Sequence, residues 1–177
     1  MTIPAPLVTE RLELRKPGSG DAEPLFETCF GEAGVMRYMT WKRHRDLSET
    51  RSLLQALARR GEEGLQAHWV IATRHDRMPV GMVSLRLESR ANLSYLLAAP
   101  LWGKGFMTEA AASVCTWALE QPAIGQLWAF CEPGNGASIR VLQKTGFQED
   151  APRVKYAVFP NLGEDPRDCR LFTRDRE

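Results

Sequence analysis

The chain has 177 residues, of which 44% are apolar and 25% are charged. These values favour an ordinary globular chain, and we expect a single domain over residues 1–177. The net charge of +1 gives no electrostatic basis for binding nucleic acid or an anionic membrane. The sequence opens without the apolar segment of a secretory signal, and no apolar run reaches the ~20 residues that span a bilayer, so we expect a cytoplasmic protein.

The cysteines are far apart in the sequence, and no two of them have CxxC spacing. This pattern indicates neither a zinc site nor a redox pair. We therefore expect free thiols and no bound metal. The cysteines are Cys29, Cys115, Cys131 and Cys169.

The N-terminal part of the chain is predicted to form a strand and two helices. Leu12 and Leu14 share one face of the strand, and Gly61 and Gly64 end the second helix, whose inward residues include Leu57. The predicted elements are a strand over Leu7–Arg15, a helix capped by Asp21 and ending near Phe30, a short apolar segment over Val35–Met39, a basic loop over Trp41–Arg45, and a helix capped by Ser48 and ending near Arg60.

The middle of the chain is predicted to be an antiparallel meander that leads into one βαβ unit. A strand over Gln126–Cys131 follows a helix, so it should lie parallel to the strand Asn92–Ala98. The predicted elements are strands over Ala67–Arg74, Pro79–Glu88 and Asn92–Ala98, a helix over Met107–Glu120, the strand Gln126–Cys131, a helix over Ser138–Thr145 closed by Gly146, and strands over Val154–Phe159 and Arg167–Thr173.

The turn between the third meander strand and its helix has the features of an anion site. Gly103 and Gly105 flank Lys104, and the helix that follows buries an apolar stripe with Val114 and Ala118 at its centre. The first N–H groups of a helix have no intrahelical partner, and the positive end of the helix dipole lies there. Glycines allow the backbone to approach a phosphate closely. The sequence therefore predicts a phosphate-bearing ligand at this turn.

Three segments together resemble a known family. They are the turn Pro100–Ala110, the segment Asn135–Phe147 at the right distance after it, and the opening strand Leu7–Arg15. In this order they resemble the GNAT superfamily of acyl-CoA-dependent N-acetyltransferases, and more narrowly its branch of ribosomal-protein N-terminal acetyltransferases. The family's glycine pattern falls on Trp102–Met107 with Gly105 at its centre, although Trp102 and Met107 depart from it at the ends.

The resemblance implies both a fold and a cofactor. The fold is mixed α/β, with a mostly antiparallel sheet of about six to seven strands, splayed at its central parallel pair and flanked by about four helices. The co-substrate is acetyl-CoA, with no metal. Leu97 and Ala98 would pair with the pantetheine arm, and Asn135 and Ser138 would lie beside the thioester. The residues implied to hold the pyrophosphate through main-chain N–H groups are Gly103, Lys104, Gly105, Phe106, Met107 and Thr108.

The catalytic groups are less completely determined. Many family members place a tyrosine acid where this chain has Leu142, so Ser138 is the substitute proton donor unless it only caps its helix. Asn135 is a catalytic or a structural and cofactor-binding residue, and an N–H near Leu97 or Ala98 could stabilise the oxyanion.

The acceptor side and the general base remain open. Trp41 and Tyr95 either line the acceptor cleft or belong to the core, as does Trp69. Glu109 either acts as a base or is favoured in the first helical turn by the dipole. Further titratable residues without a favouring pattern are Glu32, Glu132, His44 and His68.

The leading function is acetyl transfer from acetyl-CoA to a primary amine, either a small molecule or a protein N-terminus, in a chain that is a monomer or a homodimer. One alternative is a CoA-binding sensor module without catalysis, because the tyrosine is missing at Leu142. A remote alternative is an NAD(P) enzyme, although the third glycine position of its motif is Thr108 and a meander comes first.

Overall fold

The computed structural model of the chain describes residues 6–64, 66–87 and 90–176. Its helices are α1 (Ala22–Leu25), α2 (Ala33–Met36), α3 (Leu47–Glu62), α4 (Phe106–Glu120) and α5 (Gly136–Lys144). Its strands are β1 (Leu7–Val8), β2 (Leu12–Arg15), β3 (Gln66–Thr73), β4 (Pro79–Leu87), β5 (Ala91–Leu97), β6 (Gln126–Cys131), β7 (Gln148–Glu149), β8 (Arg153–Val158) and β9 (Pro166–Asp175).

The strands form one sheet in the order β1-β2-β3-β4-β5-β6-β9-β7, and β8 pairs with β9 beside this path. All the pairings in it are antiparallel except β5 with β6, which confirms the single parallel pair across the α4 crossover. This topology is a mixed α/β fold with a mostly antiparallel sheet, and it is not the doubly wound sheet of dinucleotide enzymes.

The sheet separates two apolar cores. Alternate residues of a strand point to opposite faces, so Trp69 and Val83 face α4 and α5, whereas Val70 and Met82 face α1 to α3. The α4 side contains the small buried residues Ala110, Ala111 and Ala118, which allow the helix to pack closely on the sheet. The predicted burial of the α4 stripe is therefore confirmed, and Trp69 belongs to the core.

Several predicted boundaries were wrong because neighbouring residues compete for the same cap and turn positions. Asp46, not Ser48, caps α3, since its carboxylate accepts from the N–H groups of Ser48 and Glu49. The opening strand is two short strands separated by a turn at Thr9, whose N–H donates to Leu12 O. The apolar segment after residue 30 contains the short helix α2. Among the described residues the sheet has nine strands, where about six to seven were expected. The predicted strand end at Glu88 lies outside the described residues.

The first predicted helix is a composite. It begins as a 3-10 turn at Ser19–Asp21, continues as α1 and ends as a π-helical turn at Phe26–Phe30. Asp21 is buried and receives two hydrogen bonds from the Arg15 guanidinium, at 2.8 and 2.6 Å, so it ties this helix to β2. The four cysteines are free thiols, as expected. Among the described residues, no helix is long and apolar enough to cross a membrane.

Candidate active site

The parallel strands β5 and β6 separate after a short paired region. Their register contains only Ala91 with Leu127 and Asn92 with Trp128, although β5 continues to Leu97 and β6 to Cys131. The side-chain amide of Asn92 donates to Trp128 O at 3.3 Å and so closes the narrow end. The predicted splay is therefore confirmed, and it leaves a gap between the two strands.

The edge of β5 presents main-chain groups to this gap. The Ala98 N–H donates to Val80 O at 2.8 Å within the sheet, which corrects the expectation that Ala98 could serve as a free donor. Successive N–H groups of a strand point to opposite edges, so the Leu97 N–H faces the gap. Leu97 O accepts a hydrogen bond of 2.7 Å from the Trp102 indole, which ties the glycine turn to the end of β5.

The glycine turn, residues 103–105, lies at one end of the gap and leads into α4. Gly103 and Gly105 have φ of 73° and 83°, a left-handed conformation that side chains disfavour, and Gly105 is the N-cap of α4. The first intrahelical bond runs from Glu109 N to Gly105 O, so the N–H groups of Phe106, Met107 and Thr108 have no intrahelical partner. The turn has the geometry of an anion site at a helix N-terminus.

Residues from the turn between β1 and β2 form hydrogen bonds that support the glycine turn. Arg11 donates to Glu109 through its main-chain N–H at 2.9 Å and its Nε at 2.7 Å, and Thr9 Oγ1 donates to the same carboxylate at 2.6 Å. Arg11 also donates to Lys104 O and lies over the Phe106 ring, 4.1 Å from its centroid. Although burial raises the pKa of Glu109, these hydrogen bonds hold it below its usual value. Glu109 is therefore a structural anchor of the turn.

Two hydroxyl groups meet near the start of α5. Ser138 Oγ lies 2.8 Å from the Tyr95 hydroxyl, which also donates to Ser138 O at 3.2 Å. The Asn135 side chain caps α5 by accepting from Ser138 N at 3.2 Å, so Ser138 is not the N-cap. Burial raises the pKa of Tyr95, which therefore stays protonated at neutral pH. Leu142, at the usual tyrosine position, is buried in the core.

A cleft of about 980 Å³ connects these features. It is lined by most of the predicted cofactor residues, but not by Ala98 or by Lys104, which is exposed. Arg140 and Lys144 of α5 also line it, and sequence reasoning missed them. Gly136, Arg140 and Lys144 follow one another at intervals of four residues, so they lie on one face of α5. This spacing is the sequence pattern that could have identified the two basic residues. The predicted residues that line the cleft are Leu97, Gly103, Gly105, Phe106, Met107, Thr108, Asn135 and Ser138.

The opposite side of the cleft carries aromatic and neutral polar groups. Trp41 lines it, as do Trp128, Phe130 and Tyr156, which form a chain of ring contacts with centroid distances of 6.0 and 5.2 Å. Tyr95 lines the cleft from the α5 side, where its hydroxyl meets Ser138. His68 also lines the cleft, where Nδ1 lies 2.8 Å from Ser84 Oγ and Nε2 lies 3.0 Å from Gln66 Oε1. Burial, together with the charge of Arg60, lowers the pKa of His68 to about 4, so its imidazole is neutral.

The other titratable residues singled out from the sequence do not join this lining. Glu132 accepts from Gly134 N at 2.6 Å and pairs with Arg167 at 3.1 Å, which fixes the loop before α5. His44 stacks on Phe30 with centroids 4.9 Å apart. Glu32 is the exposed N-cap residue of α2. Among the described residues, no three His, Cys, Asp or Glu side chains converge as a metal site.

Comparison with known proteins agrees with this geometry. Residues 11–148 match the family of acetyltransferase (GNAT) domains. An uncharacterized N-acetyltransferase of Bacillus subtilis, YoaA, is 27% identical over 154 residues, which cover 85% of this chain and 86% of YoaA.

Solved structures share the fold. RimL, a ribosomal L7/L12 alpha-N-protein acetyltransferase in complex with coenzyme A, superposes with a TM-score of 0.86 at 18% identity over 97% of this chain and 98% of RimL. A microcin C7 self immunity acetyltransferase, MccE, in complex with acetyl-CoA and AMP gives 0.85 at 18% identity over 94% and 93% of the two chains.

The family match covers more than half of the chain, and the splayed sheet with its glycine turn is the architecture that the match implies. The chain belongs to the GNAT family of acetyltransferases. It is an acyl-CoA-dependent N-acetyltransferase.

Proposed function

We propose that the protein transfers the acetyl group of acetyl-CoA to a primary amine by direct attack in a ternary complex. The observation that carries this proposal is the β5–β6 gap, which opens between the glycine turn and the Ser138–Tyr95 hydroxyl pair. A thioester held in the gap can be reached by an amine from the aromatic side of the cleft. Holding the two reactants together turns a bimolecular encounter into a nearly unimolecular step.

Coenzyme A fits the residues on the turn side of the gap. The unpartnered N–H groups at the start of α4 would hold the pyrophosphate, and Arg140 and Lys144 add positive charge along the same cleft. Lys104 is close enough in sequence to contribute charge from the exposed turn. The pantetheine arm would run along β5, where the Leu97 N–H faces the gap.

The reaction needs one oxyanion donor and one proton donor. The amine nitrogen attacks the thioester carbonyl carbon, and the Leu97 N–H would stabilise the oxyanion that forms. When the C–S bond breaks, Ser138 would give its proton to the sulfur and recover one from the Tyr95 hydroxyl, which takes a proton from water in turn. The nitrogen of the product would lose its extra proton to water. The described residues that line the cleft include no carboxylate, and His68, with a pKa of about 4, is too weak a base to deprotonate an ammonium group. The amine must therefore arrive neutral or lose its proton to water.

Direct attack is favoured over an acetyl-cysteine intermediate. Cys131 is the cysteine among the described residues that line the cleft, and it lies at the end of β6. Burial raises the pKa of its thiol to about 11. A protonated thiol is a poor nucleophile at neutral pH, so a route through Cys131 is disfavoured.

Thermal unfolding and thiol release test this function. Acetyl-CoA at about a hundred times its Kd should stabilise the fold by ~2.7 kcal/mol, while NAD⁺ should not. Thiol should then be released when amines or N-terminal peptides are added. Stabilisation without release across a broad amine and peptide panel would instead indicate a sensor module, and the absence of any shift with acetyl-CoA would exclude both functions.

A further inference from the structure

A smaller cavity of about 210 Å³ opens off the acceptor side of the main cleft, and we refer to it as the side pocket. The two cavities share Met39, Trp41, His68, Ser84, Ser94, Tyr95 and Leu96. The side pocket extends beneath α3, where Leu53 and Leu57 form one wall and Phe30 and Met82 form another. A group attached to an amine in the main cleft can therefore enter it.

The walls of the side pocket are apolar, and its polar groups are mostly satisfied. His68 binds Ser84 on one side and Gln66 on the other, so both ring nitrogens have partners. The exception is Trp41, whose indole Nε1 is buried and has no hydrogen-bond partner among the described residues. That atom is shielded from the pocket, so Trp41 offers no free hydrogen-bond donor to a group that binds there.

The charges around the side pocket are unsuited to a cation. Its described lining contains no Asp or Glu, and Arg60 lies at its edge. The positive charge of Arg60 is strong enough to disfavour protonation of His68. A second ammonium group in this position would meet the same repulsion without a carboxylate to offset its desolvation.

The size of the side pocket matches a single ring. An apolar cavity of ~150 Å³ accommodates benzene. We propose that the side pocket binds the substituent of the acceptor amine and selects an uncharged, ring-sized apolar group. This inference rests on the amine acetyltransferase function proposed above and specifies the class of acceptor.

Matched amines test this selection. Tyramine, phenethylamine, butylamine and putrescine are compared as acceptors by thiol release from acetyl-CoA. We expect kcat/KM to be highest for the two ring amines, lower for butylamine and lowest for putrescine, whose second ammonium group the pocket disfavours. A short peptide that begins with Tyr is assayed beside tyramine, so that a peptide N-terminus and a free amine with the same ring are distinguished. Putrescine equal to tyramine would overturn the proposal.

Two variants link the selection to the side pocket. Leu53 lines the side pocket but not the main cleft, so Leu53→Phe should fill it and lower kcat/KM for tyramine at least ~10-fold, with a smaller loss for the shorter substituent of butylamine. Leu53→Met is the control of similar volume, and it should keep the wild-type kcat/KM for tyramine. An unchanged tyramine rate in Leu53→Phe would contradict the assignment.

Binding measurements separate failure of this proposal from failure of the proposed function. Calorimetric titration of tyramine into the protein saturated with CoA requires no turnover. Binding that is lost in Leu53→Phe, with CoA binding retained, supports the side pocket even if no amine is acetylated. Acetyl-CoA binding without tyramine binding or turnover rejects the side pocket alone, whereas absence of acetyl-CoA binding rejects the proposed function.

Discussion

At the scale of single residues, the contact between Tyr95 and Ser138 is the feature with the clearest chemical consequence. The usual tyrosine of the family is replaced by Leu142, which is buried in the core. A tyrosine hydroxyl nevertheless reaches this region from β5 and lies 2.8 Å from Ser138 Oγ. In the proposed reaction the pair would pass a proton to the departing sulfur, and Tyr95 would regain its own proton from water because its pKa is raised.

Ser138→Ala is expected to lower kcat about 10²-fold while changing KM for acetyl-CoA little. Tyr95→Phe, which removes only the hydroxyl, should lower kcat less. The rise in activation free energy in the double variant should be smaller than the sum of the rises in the two single variants. The measurement is steady-state thiol release, with the exposed Ser52→Ala as control. An unchanged kcat in Ser138→Ala would discard its role as proton donor.

His68 makes stability depend on pH. Its folded-state pKa of about 4 lies below the unfolded value near 6.5, so the unfolded chain binds the extra proton between these values. The stabilisation is complete above pH 6.5 and is lost as the pH falls through 4. We expect the wild-type chain to lose about 3 kcal/mol more than His68→Gln between pH 7 and pH 4.

Urea unfolding at several pH values provides the measurement for His68. His75→Gln is the control, because His75 is exposed in the turn between β3 and β4. Burial also lowers the pKa of His44, so part of the slope should persist in His68→Gln. Parallel pH profiles for the wild type and His68→Gln would contradict the assignment.

At the scale of elements, the stability of the glycine turn depends on β1, β2 and α4 together. The link between them is the Glu109 carboxylate, which accepts from Thr9 and Arg11. Because the Glu109 side chain is only 17% exposed, removing its charge should lower the free energy of unfolding more than removing a surface ion pair would.

We expect Glu109→Gln to lower the free energy of unfolding by roughly 1–3 kcal/mol and to raise KM for acetyl-CoA several-fold, because the hydrogen bonds from Thr9 and Arg11 that support the glycine turn are weakened. kcat should stay within about 3-fold of wild type, since Glu109 touches no reacting atom. Glu120→Gln, at the exposed far end of α4, is the matched control. A fall in kcat of ~10² or more would restore Glu109 as a general base.

At the scale of the whole molecule, the sheet separates the α4–α5 side, where we propose that acetyl-CoA binds, from the α1–α3 side, where we propose that the acceptor binds, and the β5–β6 gap lies between β5 and β6. Ligands on the two sides should therefore protect different segments of the chain from amide hydrogen exchange. Acetyl-CoA should slow amide hydrogen exchange at Leu97 and at 103–108, while exchange in α3 stays unchanged. Tyramine added to the CoA complex should protect α3 and the strand around His68. Protection by acetyl-CoA confined to α3 would contradict this division.

Much of the fold could be predicted because its determinants are local. The α4 stripe, the three meander strands and the glycine turn are each encoded within about fifteen consecutive residues, by apolar periodicity and by glycine placement. The composite helix before α2 and the cap at Asp46 were not predicted. Their conformations depend on ties such as Arg15–Asp21 and on competition between neighbouring polar residues.

The candidate site could be predicted in part for the same reason. The sequence by itself determined the anion-binding turn and placed Ser138 and Asn135 at the start of a helix, since each is a short-range pattern. Only the tertiary structure joined Tyr95 to Ser138, which lie 43 residues apart, and Arg11 to Glu109, which lie 98 apart. It also decided that Trp41, His68 and Leu53 enclose one pocket. Contacts between distant segments depend on how helices pack on a sheet, which no local periodicity specifies.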